Sequence, residues 1–471
     1  MERISLHAFL RLVMGGMLLS GPVLAQDNIA LHPQNPHYFI YKGKPTLLIT
    51  SGEHYGAVVN LKFDYRTYFA TLKADGLNLT RVFTGAYIEP QGAFNIASNT
   101  LAPTSEMFIA PWSRSSQPGY APGGNRFDLT KWNPQYFKRL RDFTAAARKA
   151  GVIVELALFC PFYKDDQWAI SPMNKANNIN GVGDIPKDNV YTLDKNGGLL
   201  EVQQALVRKI VEELRTFDNV IYEICNEPYF GGVTMEWQHN IADVIRETEE
   251  KLGVRHLISQ NIANGSERIV NPHPEVSVFN FHYASPPDAV AQNYHINKVI
   301  GDNETGFKGT DDVKYRMEAW EFILAGGALY NNLDYSFTVG HEKGTFVYPS
   351  TQPGGGTKAL RSQLRFLKDF MDKFDFLQMA PDSTLVSRLP DSVRVQVLAE
   401  TGKQYAAYIF GRGLSRLAMQ LPKGEYEAEW LDPVTGKYTL GRVVHNGGLA
   451  AIAVPPYGED YALRLTTKAG E

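Results

Sequence analysis

The sequence has few cysteines and no excess of charge of either sign. Cys160 and Cys225 are its two cysteines in 471 residues, too few for a disulfide scaffold. Both fall at the ends of predicted strands that would be neighbours in a barrel, so one bridge could form. We expect two buried free thiols instead, because such strands carry small apolar side chains inward. The net charge of -3 gives no electrostatic footprint for nucleic acid or a membrane surface.

Metal and nucleotide signatures are also missing. The sequence contains no His-x-His, no HExxH and no paired CxxC. The three glycines that begin at Gly354 lack the outer spacing of a phosphate-binding loop. We therefore predict no metal, no cofactor and no nucleic-acid partner.

Long apolar runs are missing after the first residues of the chain. Arg3 and Arg11 come first, an apolar run follows over residues 12–19, and small residues up to Ala25 precede Gln26. The run is too short, and too broken by glycine and proline, for a stable transmembrane helix. We predict a secretory signal over residues 1–25 that is cut after Ala25, a secreted or periplasmic protein, and no insertion into a membrane.

What the sequence does contain is a repeated alternation of strand-like and helix-like segments. The clearest helix is capped by Asn133, has Pro134 at its first position and stops at Gly151. Eight strands can be counted, the seventh a short one over residues 298–301. Eight such units predict the α/β class and a (β/α)8 TIM barrel over residues 26–378. A doubly wound open sheet is the alternative.

The last hundred residues have a different pattern. After Pro381, short alternating runs such as VRVQVLAE, QYAAYIFG and YALRLT are separated by Gly, Pro and Asp turns. This pattern predicts a small antiparallel β-sandwich domain over residues 379–471. Such a domain could be a stabilising cap on the barrel or a sugar-binding module, and we expect the cap.

Between the second and third strands lies a long segment, residues 85–129, rich in Pro, Gly, Ser and Asn. A loop this long in a compact domain is usually functional or disordered. Its aromatic residues Phe108, Trp112 and Tyr120 predict a wall over the functional site. A simple surface decoration would have the same composition.

The segment NVIYEICNEPYF, residues 219–230, ends a predicted buried strand with a carboxamide and a carboxylate. Pro228 cannot donate to a sheet, so the strand stops and leaves Asn226 and Glu227 at its carboxyl end. Parallel α/β folds bind their ligands at that end. An Asn-Glu-Pro on the fourth strand resembles clan A, the retaining (β/α)8 glycosidases that include many cellulases, mannanases and galactosidases.

This resemblance implies a second glutamate at the end of strand seven, where VIGDNETG places Glu304. By this resemblance Glu304 would be the nucleophile and Glu227 the acid/base, the two carboxyl groups that retaining hydrolysis needs about 5–5.5 Å apart. Asp302 is the competing nucleophile and Asp334 is a third candidate. An anionic Glu304 nearby would raise the pKa of Glu227 and keep it protonated for the first step.

The resemblance also implies supporting roles. Arg81, at the end of strand two, would orient the nucleophile and keep it ionised, and Asn226 would bind the sugar's 2-hydroxyl. Tyr283, at the end of strand six, would hydrogen-bond the nucleophile, but a core histidine and a packing tyrosine at His282 and Tyr283 would look the same in sequence. Glu223, one layer deeper on its strand, is expected to form a structural ion pair.

The sequence departs from the clan pattern at strands three and eight. Strand three, which ends FCPFY, lacks the histidine pair of several cellulase-like members. Strand eight, LYNNLDYSF, has no tryptophan for the floor of the sugar subsite, so Tyr335 or a loop tryptophan such as Trp112 or Trp168 would stack on the sugar. His54, after strand one, is a further candidate to touch the substrate. The segment YRMEAWEFILAGGALY is similar to the apiosidase-like barrels, which often carry a small C-terminal β domain.

These observations predict an exported retaining glycoside hydrolase that cleaves poly- or oligosaccharides. The alternatives are a non-catalytic carbohydrate-binding protein on a barrel scaffold and a transglycosylase that uses the same residues. The sequence does not indicate the sugar, the linkage, the choice between end-trimming and internal cleavage, or the oligomeric state.

Overall fold

The computed structural model describes residues 28–468, so the predicted signal over residues 1–25 lies outside the described residues. The described chain begins with a small antiparallel sheet in the order β1-β2-β3. Its strands are β1 (Ala30–Leu31), β2 (Phe39–Tyr41) and β3 (Lys44–Thr46). Lys42 and Gly43 both have positive φ at the predicted hairpin turn between β2 and β3.

The barrel is built from eight parallel strands whose side chains are almost all buried. The strands that follow β3 up to the end of the barrel are β4 (Leu48–Gly52), β5 (Leu79–Phe83), β6 (Trp112–Pro118), β7 (Asn125–Trp132), β8 (Ile153–Phe159), β9 (Val220–Cys225), β10 (Leu257–Asn264), β11 (Val276–His282), β12 (Val299–Thr305) and β13 (Leu329–Leu333). β6 and β7 pair only with each other, as an antiparallel hairpin. The other eight are hydrogen-bonded in the order β4-β13-β12-β11-β10-β9-β8-β5.

Asn78 joins the two end strands of this sheet. The backbone N–H of Ile49 donates to Asn78 Oδ1 over 2.9 Å, and Asn78 Nδ2 donates to the carbonyl of Leu47 over 2.8 Å. One carboxamide thus fills the seam between β4 and β5. The predicted fold class, a barrel followed by a C-terminal β domain, is confirmed.

In the described part of the chain, eight α-helices accompany the strands. They are α1 (Tyr65–Ala74), α2 (Pro134–Ala150), α3 (Asp165–Ile170), α4 (Leu199–Leu214), α5 (Met235–Leu252), α6 (Asp288–Asn293), α7 (Asp312–Leu324) and α8 (Lys358–Met371). At α2 the predicted cap is confirmed, since Asn133 accepts two backbone N–H bonds and Gly151 ends the helix at a φ of 79°. Within residues 28–468, no helix is both long and apolar enough to cross a membrane.

Strand β12 is longer than the sequence pattern predicts. The expected strand stops at Gly301, before three polar residues, but β12 continues to Thr305 because those residues find partners inside the barrel. Asn303 Nδ2, for example, donates to Glu155 Oε2 over 3.1 Å. Glu304 is therefore the penultimate residue of the strand, at the carboxyl rim of the barrel.

The C-terminal strands are all antiparallel. They are β14 (Ala380–Pro381), β15 (Val386–Ser387), β16 (Arg394–Glu400), β17 (Gln404–Phe410), β18 (Arg416–Leu431), β19 (Tyr438–Ala453) and β20 (Asp460–Thr467). Their order is β14-β16-β17-β20-β18-β15, with β19 paired to β18. They enclose a second hydrophobic core, to which Tyr405, Leu417 and Leu463 contribute fully buried side chains. Cys160 and Cys225, in the barrel, are both buried and free, as expected.

A buried ion pair and an aromatic stack join the two domains. On α7, the Arg316 guanidinium donates to both carboxylate oxygens of Asp460 over 2.8 and 2.9 Å, and Tyr408 Oη donates to Asp460 over 2.7 Å. The rings of Trp320 and Tyr408 stack with centroids 5.2 Å apart. A domain that packs on the barrel in this way suits the expected role of a stabilising cap.

We expect Arg316→Met to lower the free energy of unfolding by about 3–5 kcal/mol, because it leaves Asp460 buried without its cation. Urea unfolding followed by tryptophan fluorescence measures the loss. The matched control is Arg365→Met, whose arginine forms an exposed pair with Asp369 on α8 and should cost at most about 0.5 kcal/mol. Equal losses of unfolding free energy in the two variants would show that the buried interdomain pair contributes no more stability than an exposed ion pair.

Candidate active site

A cavity opens where the carboxyl ends of the barrel strands meet. Its empty volume is ≈ 370 Å³, including the space at its mouth. Most of its lining residues are aromatic or acidic. They are His54, Tyr55, Phe83, Tyr87, Glu89, Phe94, Cys160, Tyr163, Asn226, Glu227, Tyr283, Glu304 and Phe307.

Glu227 and Glu304 face each other across this cavity. Glu227 follows β9, and Glu304 ends β12 on the other side of the barrel mouth. A carboxylate oxygen of each, together with a ring nitrogen of His282, lies within 4.8 Å of the others. Both glutamates are buried, with 7% and 6% of their surfaces exposed. The structure therefore brings together the two carboxyl groups that the sequence predicts as a pair.

Two tyrosines and an arginine hold Glu304. Tyr55 Oη donates to Oε2 over 2.6 Å, and Tyr283 Oη donates to Oε1 over 2.5 Å. Arg81 Nη1 donates to Oε2 over 3.3 Å. Such contacts position a carboxylate before any substrate binds, which is what a nucleophile needs. Asp302, the competing candidate, accepts a bond from the backbone of Ala284 and does not line the cavity.

Arg81 lies beneath the cavity and connects three strands. Its guanidinium makes a two-point bond to Glu223 over 2.6 and 2.8 Å, which confirms the structural ion pair expected for that residue. Nη2 also donates to Asn226 Oδ1 over 2.6 Å. Deeper still, burial and the negative charge of Glu223 raise the pKa of Glu155 to about 7. The Arg81 guanidinium therefore forms ion pairs with both Glu223 and Glu304.

Glu227 is held by hydrogen-bond donors on the opposite side. Tyr163 Oη donates to its Oε2 over 2.5 Å, and His282 Nδ1 lies 3.2 Å from its Oε1. Burial raises the pKa of Glu227, but the hydrogen bond and positive charge of His282, the Tyr163 bond and Arg81 outweigh burial and lower it. The expectation that Glu304 raises this pKa is wrong, because His282 sits between the two carboxylates and offsets their repulsion.

This arrangement predicts a shift in the pH profile. Without the hydrogen bond and charge of His282, burial dominates and the pKa of Glu227 rises, so Glu227 keeps its proton to higher pH. We expect the alkaline limb of kcat/KM to move to higher pH in His282→Ala, and by less in His282→Gln, which keeps a donor but no charge. Rates on an aryl glycoside across pH measure the shift. An alkaline limb that stays in place or moves down would contradict it.

A family model described as cellulase, glycosyl hydrolase family 5, matches residues 42–305. The chain belongs to glycosyl hydrolase family 5. Membership in family 5 makes it a retaining glycoside hydrolase of clan A and identifies the family that the sequence motifs left open. A comparison with curated proteins found no match.

Solved structures show the same architecture. A structure described as a glycoside hydrolase has a TM-score of 0.66 at 14% identity, covering 95% of this chain and 98% of that one. A family 5 glycoside hydrolase from Bacteroides vulgatus has a TM-score of 0.65 at 14% identity, with 95% of both chains covered. An endo-1,4-beta-mannanase from Rhizomucor miehei has a TM-score of 0.50 at 12% identity, covering 74% of this chain and 100% of that one. At these identities the likeness concerns the fold.

Some predicted substrate contacts of this family 5 enzyme are in the cavity and others are not. His54 lines it and pairs with Glu89. Tyr335 does not line it, since its ring is 2% exposed and packs behind His54 at 5.6 Å. Trp168 packs on Phe162, and its Nε1 donates to a backbone carbonyl. The prediction that Tyr335 or Trp168 stacks on the sugar is therefore corrected, because both rings are used to pack loops.

The segment 85–129 does form a wall of the cavity, but through other residues than those expected. Phe108, Trp112 and Tyr120 are buried within the segment's own packing. Glu89 and Phe94 reach the cavity instead. Nothing in the sequence distinguished them, because neither follows a predicted strand.

Backbone conformation would have been a useful signal. Among the described residues, ten non-glycine residues have positive φ, and five of them line the cavity. These five are Tyr55, Phe94, Glu227, Tyr283 and Phe307. Strained backbone that the surrounding structure holds in place often marks functional sites. The backbone conformation at these five positions therefore helps to direct their side chains into the cavity of this family 5 enzyme.

Glu227, His282 and Glu304 have the spacing to hold a metal ion as well. The oxygens of both glutamates already accept bonds from tyrosines, and His282 Nδ1 is bonded to Glu227. This donor set fits a hydrogen-bonded acid pair better than a cation site.

Proposed function

We propose that Glu304 is the nucleophile and Glu227 the acid/base of an exported enzyme that hydrolyses poly- or oligosaccharides with retention. The observation that carries this proposal is the distance of at most 4.8 Å between their carboxylate oxygens. Retaining enzymes hold the two groups about 5–5.5 Å apart, whereas inverting enzymes need about 6.5–9.5 Å to admit a water molecule.

In the first step, Glu304 attacks the anomeric carbon while Glu227 protonates the oxygen of the leaving group. The bond between that oxygen and the anomeric carbon breaks, and a glycosyl ester forms on Glu304. Tyr55, Tyr283 and Arg81 fix the attacking carboxylate.

In the second step, water attacks the anomeric carbon and Glu227 takes the proton from that water. The bond between the anomeric carbon and Glu304 breaks, which releases the sugar and restores the Glu304 carboxylate. The ester carries no charge, so Glu227 no longer faces an anionic neighbour when it acts as the base. The amide oxygen of Asn226 accepts from Arg81, and its amide nitrogen donates to Tyr163 Oη over 2.8 Å. A bound sugar would replace Tyr163 as the acceptor from that nitrogen. We assign that nitrogen to the sugar's 2-hydroxyl, whose hydrogen bond strengthens in the transition state.

Labelling with activated 2-deoxy-2-fluoro glycosides tests the assignment. We expect mass spectrometry of the digested protein to find the sugar on Glu304. A label on Asp302 would overturn the choice of nucleophile. Absence of any label, together with no hydrolysis of aryl glycosides, would contradict the enzymatic proposal itself.

Export rests on the sequence of residues 1–25 alone. When the chain is expressed with its own leader, the mature protein should begin at Gln26. N-terminal sequencing of the exported fraction checks this, and retention of the first 25 residues in a cytoplasmic product would contradict it.

A further inference from the structure

One side of the cavity is closed by the segment that follows β5. Tyr87, Glu89 and Phe94 from this segment line the cavity. Just beyond them, the chain is fastened to the loop after β13. The backbone N–H of Ala97 donates to Gln352 Oε1 over 3.0 Å, and a hydrogen bond joins the hydroxyls of Ser98 and Thr338. These contacts run from the β5 side of the barrel mouth to the β13 side, so the wall is continuous there.

A carboxylate and an imidazole are set into this wall. His54 Nε2 lies 3.2 and 3.4 Å from the two oxygens of Glu89. Tyr87 Oη and Asn99 Nδ2 also donate to Glu89 and fix its orientation. His54 is 8% and Glu89 4% exposed. The mechanism proposed above uses neither residue.

One ring nitrogen of His54 takes no part in the pair with Glu89. Its Nδ1 is buried and, in the described part of the chain, has no hydrogen-bond partner. Burial lowers the pKa of His54, but the negative charges of Glu89, Glu304 and Glu53 outweigh burial and raise it. A protonated imidazole carries a hydrogen on Nδ1, and a buried donor without an acceptor is costly. An oxygen atom of a bound ligand would satisfy it.

The position of Glu227 determines which part of the substrate lies against the wall that the segment after β5 forms. Glu227 must touch the oxygen of the leaving group, so the departing chain lies on the side of β9. There Tyr229 and Phe230 are 36% and 43% exposed and offer apolar faces to a sugar ring. The sugar that reacts with Glu304 lies on the other side, between the nucleophile and the wall.

We infer that the enzyme removes single uncharged sugar residues from chain ends, and that His54 and Glu89 bind the hydroxyls of the terminal residue remote from its anomeric carbon. The inference rests on the proposed function. We expect the segment after β5, fastened to the loop after β13, to block a longer chain beyond that residue. Glu89, Glu227 and Glu304 all line the cavity, while Arg81 and His54 are already paired with carboxylates, so an acidic sugar is repelled.

The first test is the product pattern. The wild-type protein is incubated with β-1,4-linked gluco-, manno-, xylo- and galacto-hexasaccharides that carry a fluorescent label at the reducing end. We expect the first labelled product to be the pentasaccharide, formed together with free monosaccharide, and shorter labelled products to follow one residue at a time. Labelled products shorter than the pentasaccharide at the earliest times would overturn end-trimming and leave the glycosidase intact. No hydrolysis, together with no labelling by 2-fluoro glycosides, would overturn both.

The second test addresses His54 and Glu89 directly. For the 4-nitrophenyl glycoside that is cleaved best, we expect His54→Ala and Glu89→Gln to lower kcat/KM about 10- to 100-fold, the effect of one hydrogen bond to a charged group. Glu106→Gln, the same change at an exposed carboxylate of the same segment, should have no effect.

Deoxy analogues separate contact from structural damage. Removing the sugar hydroxyl at position 3, 4 or 6 that accepts from His54 should lower the kcat/KM of the wild type. The same removal should not lower the kcat/KM of His54→Ala, because this variant no longer has the donor. A damaged fold would slow all substrates by the same factor. Penalties that stay unchanged in the variant, or cleavage of 4-nitrophenyl β-glucuronide at the rate of the glucoside, would overturn the inference.

Discussion

Glu304→Gln is expected to lower kcat/KM by at least about 10⁴-fold, because the amide is a poor nucleophile and no other side chain lies at its position. The substitution keeps the size of the side chain, and its amide nitrogen can still bond to Tyr55 or Tyr283 after those hydroxyls rotate. Folding should therefore be preserved, and circular dichroism checks it. Steady-state hydrolysis of an aryl glycoside measures the loss.

The matched control is Asp302→Asn on the same strand. Burial and the charge of Glu318 raise the pKa of Asp302 well above its usual range, which favours its neutral form. Replacing it with a neutral isostere should leave kcat/KM within about threefold of the wild-type value, because Asp302 does not line the cavity. A large loss in Asp302→Asn with little loss in Glu304→Gln would reverse the assignment of the nucleophile.

Glu227→Ala should lower activity by about 10²–10⁴-fold on substrates with poor leaving groups, the usual contribution of general acid catalysis. Substrates with activated leaving groups need no proton in the first step, so their glycosyl ester should still form and accumulate. Added azide should then restore turnover by attacking the ester without a base. Pre-steady-state bursts and glycosyl azide in the products are the measurements.

The control for this variant is Glu236→Ala, at the exposed start of α5, which should behave like the wild type. Equal losses on good and poor leaving groups, with no effect of azide, would contradict the acid/base role of Glu227.

Strand-end reasoning found the residues whose position depends on the sheet. Glu227 and Glu304 lie at the carboxyl ends of strands that a β-branched or apolar run predicts, and Arg81 is the middle residue of such a strand, β5. In a closed parallel barrel such ends converge, so counting strands was enough to bring these residues together. The same reasoning found His282 and Tyr283, which both contact the predicted catalytic pair.

The residues that were missed belong to loops, whose paths depend on contacts far along the chain. Tyr55 and Tyr163 bond the two glutamates, and Glu89 reaches the cavity through a segment that is fastened near Gln352. No local pattern encodes such a contact. The direction of the Glu227 pKa was missed for a similar reason, because it depends on which atom of His282 lies between two carboxylates.

The contact between the domains has a consequence for engineering. Helix α7 is buried on nearly every face, with the barrel on one side and the ring of Tyr408 against Trp320 on the other. A protein shortened to the barrel would expose that indole and the apolar surface around Arg316 to water, and it should aggregate. Chimeric proteins that use this barrel therefore have to include the C-terminal β domain, so that the two domains are exchanged as a single unit.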